Sequence, residues 1–178
     1  MAVMKVKLYG SEILRKKVAQ LEKLPDHFET LIADMYETMN EEKGIGLSAN
    51  QVGLDMSFFI VDFGLYDEKY GRQIFINPEI LEMEGETLDE EGCLSLPGIN
   101  EKVKRADRIR IKYKDANFTD RDEEYFDYLS RVIQHEFDHL NGIVFTDRIS
   151  ALKRSFIKNK LAALETEAKE IEAEETAA

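Results

Sequence analysis

A single cysteine, Cys93, in 178 residues leaves no partner for an internal disulfide, and such scarcity fits a reducing compartment. Positive charge is also in short supply. Lys and Arg number 24 against 36 Asp and Glu, a net charge of −12, which repels polyphosphate backbones over most of the surface and argues against DNA or RNA as the primary ligand. No segment approaches the ~20 continuous apolar residues that a membrane span requires, so no membrane insertion is expected. The first residues, Met1-Ala2-Val3-Met4-Lys5-Val6-Lys7, carry neither the apolar run of a secretion signal nor the Arg/Ser bias of a transit peptide, and a cytoplasmic location is expected. Internal repeats and linkers are absent too.

What remains is 43% hydrophobic and 34% charged, ordinary for a globular chain long enough to bury one core. One domain is expected over residues 1–164, followed by an acidic, frayed tail at 165–178. Phe28, Leu31, Ile32, Met35 and Met39 recur at helical spacing behind an Asp26-x-x-Glu29 capping signal, predicting a helix over 26–43 that Gly44 ends. Apolar or alternating stretches predict strands at 57–63, 73–76 and 108–113, the second closed by a turn at Asn77-Pro78. A second helix is expected from about 119 to 142, because Phe126, Leu129, Val132, Ile133, Phe137 and Leu140 form a stripe with acidic residues at its start. The last helix should run over 150–164 with Leu152, Phe156, Ile157 and Leu161 on one face. Strands grouped ahead of a late buried helix indicate an α+β fold: antiparallel or mixed strands packed around that helix, with a C-terminal helix beyond.

The second helix carries His135-Glu136-Phe137-Asp138-His139. Residues four apart lie about 40° apart around a helix, one turn along it, so His135 and His139 can aim imidazoles at one ion while Glu136 is offset toward a water on it. The same spacing can equally line a core. Catalytic zinc or iron needs a third protein ligand, and the best-placed donor is Cys93 within Glu90-Glu91-Gly92-Cys93-Leu94-Ser95-Leu96-Pro97-Gly98. A lone cysteine is otherwise a small buried hydrophobe. The stretch Gly44-Ile45-Gly46-Leu47-Ser48-Ala49-Asn50-Gln51-Val52-Gly53 follows a helix and lacks the Lys-Ser/Thr pair of a phosphate loop. It is either a helix cap with a turn, or a place where bare backbone meets an extended peptide and Gln51 offers an amide.

Together, Gly44-Ile45-Gly46-Leu47-Ser48-Ala49-Asn50-Gln51, Glu91-Gly92-Cys93-Leu94-Ser95 and Gln134-His135-Glu136-Phe137-Asp138-His139 resemble, in order and spacing, the three signature motifs of peptide deformylases. That resemblance implies a metal-dependent hydrolase of protein biosynthesis that removes the N-formyl group from the N-terminal formylmethionine of nascent chains and releases formate. It implies Cys93, His135 and His139 as ligands of one divalent ion, with ferrous iron expected in the cell and zinc, nickel or cobalt as alternatives. It implies Glu136 as the general base acting on a water whose pKa the ion lowers from 15.7 to about 7, and the Gln51 amide and Leu94 backbone N–H as oxyanion donors. Substrate backbone would lie along Ile45, Gly46 and Gly92, with Ile45, Tyr128 and Val132 shaping the methionine pocket.

The sequence departs from the commoner family pattern at Asp127-Tyr128-Leu129-Ser130-Arg131-Val132 and at Ser48, which replaces a usual alanine. Arg131 either enters the pocket or points to solvent, the latter being expected. Asp138 either orients an imidazole or is exposed, and His27 reads as a surface or capping residue. Lys153, Arg154, Lys158 and Lys160 form a basic patch that is either a solvated helix face or a contact for ribosomal RNA. Two other readings stay open: a zinc metallopeptidase with a third ligand downstream of His139, where only Asp147 and glutamates are available, and a metal- or peptide-binding relative without turnover.

Overall fold

The computed structural model describes residues 2–64 and 66–177. Seven strands, β1 (Gly46–Ser48), β2 (Phe58–Asp62), β3 (Arg72–Glu84), β4 (Thr87–Glu91), β5 (Glu101–Arg105), β6 (Arg108–Lys114) and β7 (Asp120–Phe126), accompany helices α1 (Phe28–Glu41), α2 (Asp127–Leu140) and α3 (Ala151–Ala177). Every pairing is antiparallel: a five-stranded sheet in the order β1-β2-β3-β6-β7 and a separate β4-β5 ribbon. The expected α+β architecture holds, with α2 packed against β1, β2, β6 and β7.

Alternation on β2 explains the layers. Phe58 and Ile60 face α1, where Phe28, Ile32, Met35 and Met39 meet them, while Phe59 and Val61 face Val132, Ile133 and Leu140 of α2. Full burial of each such side chain contributes roughly 1.5–3 kcal/mol. A third cluster joins Leu96, Ile99 and Val103 to Ile157, Leu161 and Leu164 of α3. No described helix is long and apolar enough to cross a membrane.

Several expectations need correction. Asp26 does not cap α1: the helix begins behind His27, exposed and left-handed at φ 61 with no side-chain cap, and its far end turns at Lys43 (φ 58) ahead of Gly44. Asn77-Pro78 is no terminator but a register shift inside a 13-residue strand; Asn77 takes φ 49 and bonds both backbone groups of Leu21. The acidic run before α2 is strand β7. Its even-numbered Asp120, Asp122 and Glu124 answer Lys114, Arg110 and Arg108 of β6, while Tyr125 turns inward. Paired opposite charges favour the ladder over a helical first turn.

Helix α3 runs on past Leu164 to Ala177. Ala168 is buried and Glu175 pairs with Lys7 at 2.6 Å, and Glu/Ala-rich sequence has high helix propensity. The expected apolar face is rotated: Ile157, Leu161, Leu164 and Ala168 are buried, whereas Leu152 and Phe156 are exposed.

Candidate metal centre

The chain passes from β7 into α2 without a loop. Phe126 is extended, Asp127 takes φ 50, and its N–H bonds Asp107 O. Ten of the 14 residues of α2 are buried, which sets His135 and His139 deep in the molecule. Gly142 (φ 74) ends the turn after it; a Cβ there would lie 2.5 Å from Arg15 O, so no other residue fits.

Cys93, just past β4, brings Sγ to 3.2 Å from His139 Nε2, which lies 3.3 Å from His135 Nε2. The three ligand atoms fall within 4.8 Å of one another. Nitrogen ligands at about 2.0–2.1 Å and a thiolate at about 2.3 Å from a tetrahedral ion sit roughly 3.3–3.6 Å apart. Burial opposes charge on His135, yet the neighbouring Cys93 and Glu91 outweigh it and raise its pKa. Burial and neighbouring His135 push His139 the other way, toward the neutral form that binds metals. These residues fit a divalent cation. The metallopeptidase reading needed a downstream ligand; the third donor present is Cys93.

Glu91, in the quoted motif but given no role by the sequence, is the hub beneath. Its Oε2 accepts from His135 Nδ1 at 3.0 Å, and the same carboxylate takes Arg105 Nε and Arg131 Nη1, each at 2.8 Å. Burial works against ionisation, but Arg105 and His135 hold the Glu91 carboxyl well below its usual range. Arg131 therefore does not point to solvent: it is buried against Glu91, Val103 O and Thr87. Asp138 is neither exposed nor bonded to an imidazole. It is buried between Arg105 and Arg148, and the acceptor of an imidazole N–H is Glu91.

Glu136 is buried beside the ligands with Oε2 free of any hydrogen bond among the described residues. Burial pushes its pKa up to about 7. Across from it lies Gly46, where a Cβ would stand 2.5 Å from Glu136 Oε1. Gln51 sits in a 3-10 turn after β1 and directs Nε2 to Ser95 Oγ at 3.1 Å and Cys93 Sγ at 3.5 Å. A cleft of about 310 Å³ is lined by Ile45, Gly46, Gln51, Gly92, Cys93, Leu94, Tyr128, Val132, His135 and Glu136, so all the substrate-contact positions expected from the sequence converge there. Lys43, Glu90 and Arg131 line it too. β1 is the outer strand of its sheet among the described residues.

Fold and site together define an α+β protein in which a Cys-His-His group able to hold a metal ion lies beside a cleft of about 310 Å³. The family model of polypeptide deformylase matches residues 3–155, and the chain belongs to that family. It is 41% identical over 160 residues to the peptide deformylase of Thermodesulfovibrio yellowstonii, covering 90% of this chain and 97% of that one. Against peptide deformylase 1 of Clostridium perfringens the figure is 46% over 147 residues, 83% and 98% of the two chains. Among solved structures, the peptide deformylase from Thermus thermophilus superposes with a TM-score of 0.85 at 38% identity, covering 93% of this chain and 99% of that one.

Proposed function

We propose that this chain removes the formyl group from N-terminal formylmethionine of nascent polypeptides. The observation that carries the reading is the cluster of Cys93, His135 and His139 ligand atoms within 4.8 Å of one another, at a cleft that Cys93, His135, Gln51 and Glu136 line. A divalent ion there supplies Lewis acidity and an activated water. Ferrous iron is the ion we expect in the cell, and the cytoplasm, where chains are made, is the expected location.

The chain's own residues divide the remaining work. Glu136, dry and with Oε2 uncommitted, takes a proton from the attacking water and passes it to the departing amine as the formyl C–N bond breaks. Gln51 Nε2 and the Leu94 N–H donate to the carbonyl oxygen as it gains charge, each worth roughly 3 kcal/mol of barrier. The peptide extends the outer edge of β1 at Ile45-Gly46 and passes Gly92, and Ile45, Tyr128 and Val132 receive the methionine side chain.

Formyl-Met-Ala-Ser and its unformylated analogue, given to iron-, zinc-, nickel- and cobalt-loaded protein under anaerobic conditions, test this. Formate from the first alone is expected. Internal peptide cleavage, or no reaction with metal bound, overturns the assignment.

The exposed face of α3 extends the proposal to the ribosome. Lys160 is exposed on the same helix face as Leu152 and Phe156, and Lys158 is exposed elsewhere on the helix, while Lys153 and Arg154 are partly engaged by Glu101 and Asp147. Salt-sensitive co-sedimentation with ribosomes is expected, weakened by the pair Lys158→Glu and Lys160→Glu; equal binding by that variant removes the idea.

A further inference from the structure

Gln51 is held by its oxygen. Ser48 N–H, which can only donate, lies 3.0 Å from Gln51 Oε1, and Ser48 Oγ lies 2.9 Å from the same atom. All three groups are buried. An amide whose oxygen is pinned this way must turn Nε2 to the other side, toward Ser95 Oγ and Cys93 Sγ. The same Ser48 hydroxyl is 2.9 Å from Asn50 Oδ1, and Asn50 Nδ2 donates to His139 O at 2.6 Å. That last bond fixes which end of Asn50 faces the serine. One hydroxyl proton is thus shared between the carbonyl of Gln51 and an asparagine anchored to the last turn of the metal helix.

We propose that Ser48 is a positioning residue for Gln51, holding its amide so that Nε2 addresses the reacting carbonyl, in register with the helix that carries His139. This rests on the reading of Gln51 as an oxyanion donor. An alanine at position 48 would keep the backbone N–H but leave Oε1 with one donor in a dry site, where the amide gains freedom to rotate. The second donor also polarises the amide, which strengthens Nε2–H as a donor. Ser48 itself is buried and is not among the residues that line the cleft.

A double-mutant cycle decides the matter. Ser48→Ala should lower kcat about tenfold, the worth of one net hydrogen bond in a dry site, with KM and bound metal nearly unchanged and a lowered melting midpoint, since Asn50 Oδ1 loses the same donor. Ser48→Thr, which keeps the hydroxyl, should recover most of the rate. In a Gln51→Ala background, Ser48→Ala should cost nothing more. The Gln51 side-chain amide signals in zinc-loaded protein give a readout independent of turnover: slow hydrogen exchange in the parent and in Ser48→Thr, fast exchange in Ser48→Ala. An equal loss of rate in both backgrounds, a Ser48→Ala variant with parental kcat, or unchanged exchange overturns the proposal while leaving Gln51 in its role. A Gln51→Ala variant with parental kcat removes the oxyanion reading itself, and this inference with it.

Discussion

His135 Nδ1 and Glu91 Oε2 stand 3.0 Å apart, and because a carboxylate can only accept there, the contact dictates that His135 turns an unprotonated Nε2 toward Cys93 and His139 when a metal binds. Glu91 is also the counter-charge of buried Arg105 and Arg131. Glu91→Ala should therefore lower metal affinity by about 10- to 100-fold and, by leaving buried Arg131 without a carboxylate while Arg105 keeps Asp138, cost roughly 3–5 kcal/mol of stability. Chelator competition well below the melting temperature separates the two effects. Parental metal retention in that assay would show that the carboxylate does not orient the ligand.

Gly46 makes room for Glu136. A methyl at this position would meet Oε1 at 2.5 Å and the carboxylate carbon at 2.8 Å, and Glu136 is buried with little space to retreat. Gly46→Ala should reduce kcat by about 10²-fold or more, as misplacement of a general base does, while circular dichroism and metal content stay parental. Full turnover would mean that Glu136 works from another rotamer.

The parts of the site legible in the sequence were those governed by local periodicity or by rarity. His135 and His139 lie one helical turn apart, and Cys93 is the chain's only thiol. Glu91 was not legible in its role, because its partners Arg105, Arg131 and His135 come from β5 and α2 and meet it only through tertiary packing. The habits of an arginine side chain point Arg131 to solvent; its destination is decided by a carboxylate 40 residues away. Strand β7 was hidden by the acidic residues that suit a helix start equally well, although the basic alternation of Arg108, Arg110, Lys112 and Lys114 held the cross-strand answer. On α3, Ala168 looked like tail composition, and only its burial shows why the helix continues.

That extension carries an expectation of its own. Removing residues beyond Thr166 deletes the buried Ala168 and the Glu175 pairs with Lys7 and Lys5. Solvent-accessible ion pairs contribute little, so only a small loss of stability is expected, mostly from the apolar burial of Ala168, with no change in metal content. A urea titration measures it. An unchanged midpoint would mean that the end of α3 rests on the body without stabilising it.

Alkaline pH should unfold the protein through its buried phenols. Burial raises the pKa of Tyr36, Tyr113 and Tyr125, and for Tyr125 the neighbouring Tyr113 and Glu123 add to it. In the folded state these hydroxyls keep their protons above pH 10, near which the unfolded chain gives them up. Their contribution is complete below that pH, and stability falls as pH rises beyond it because the unfolded state then binds fewer protons. Lysine titration and lost ion pairs act in the same range, so the informative comparison is with Tyr125→Phe. That variant forfeits the bonds from Tyr125 Oη to Gln73 and Glu123, both 2.8 Å, and should be less stable at pH 8. Between pH 9.5 and 11, however, its urea midpoint should decline less steeply than the parent's. Parallel slopes would show that Tyr125 takes no part in the alkaline transition.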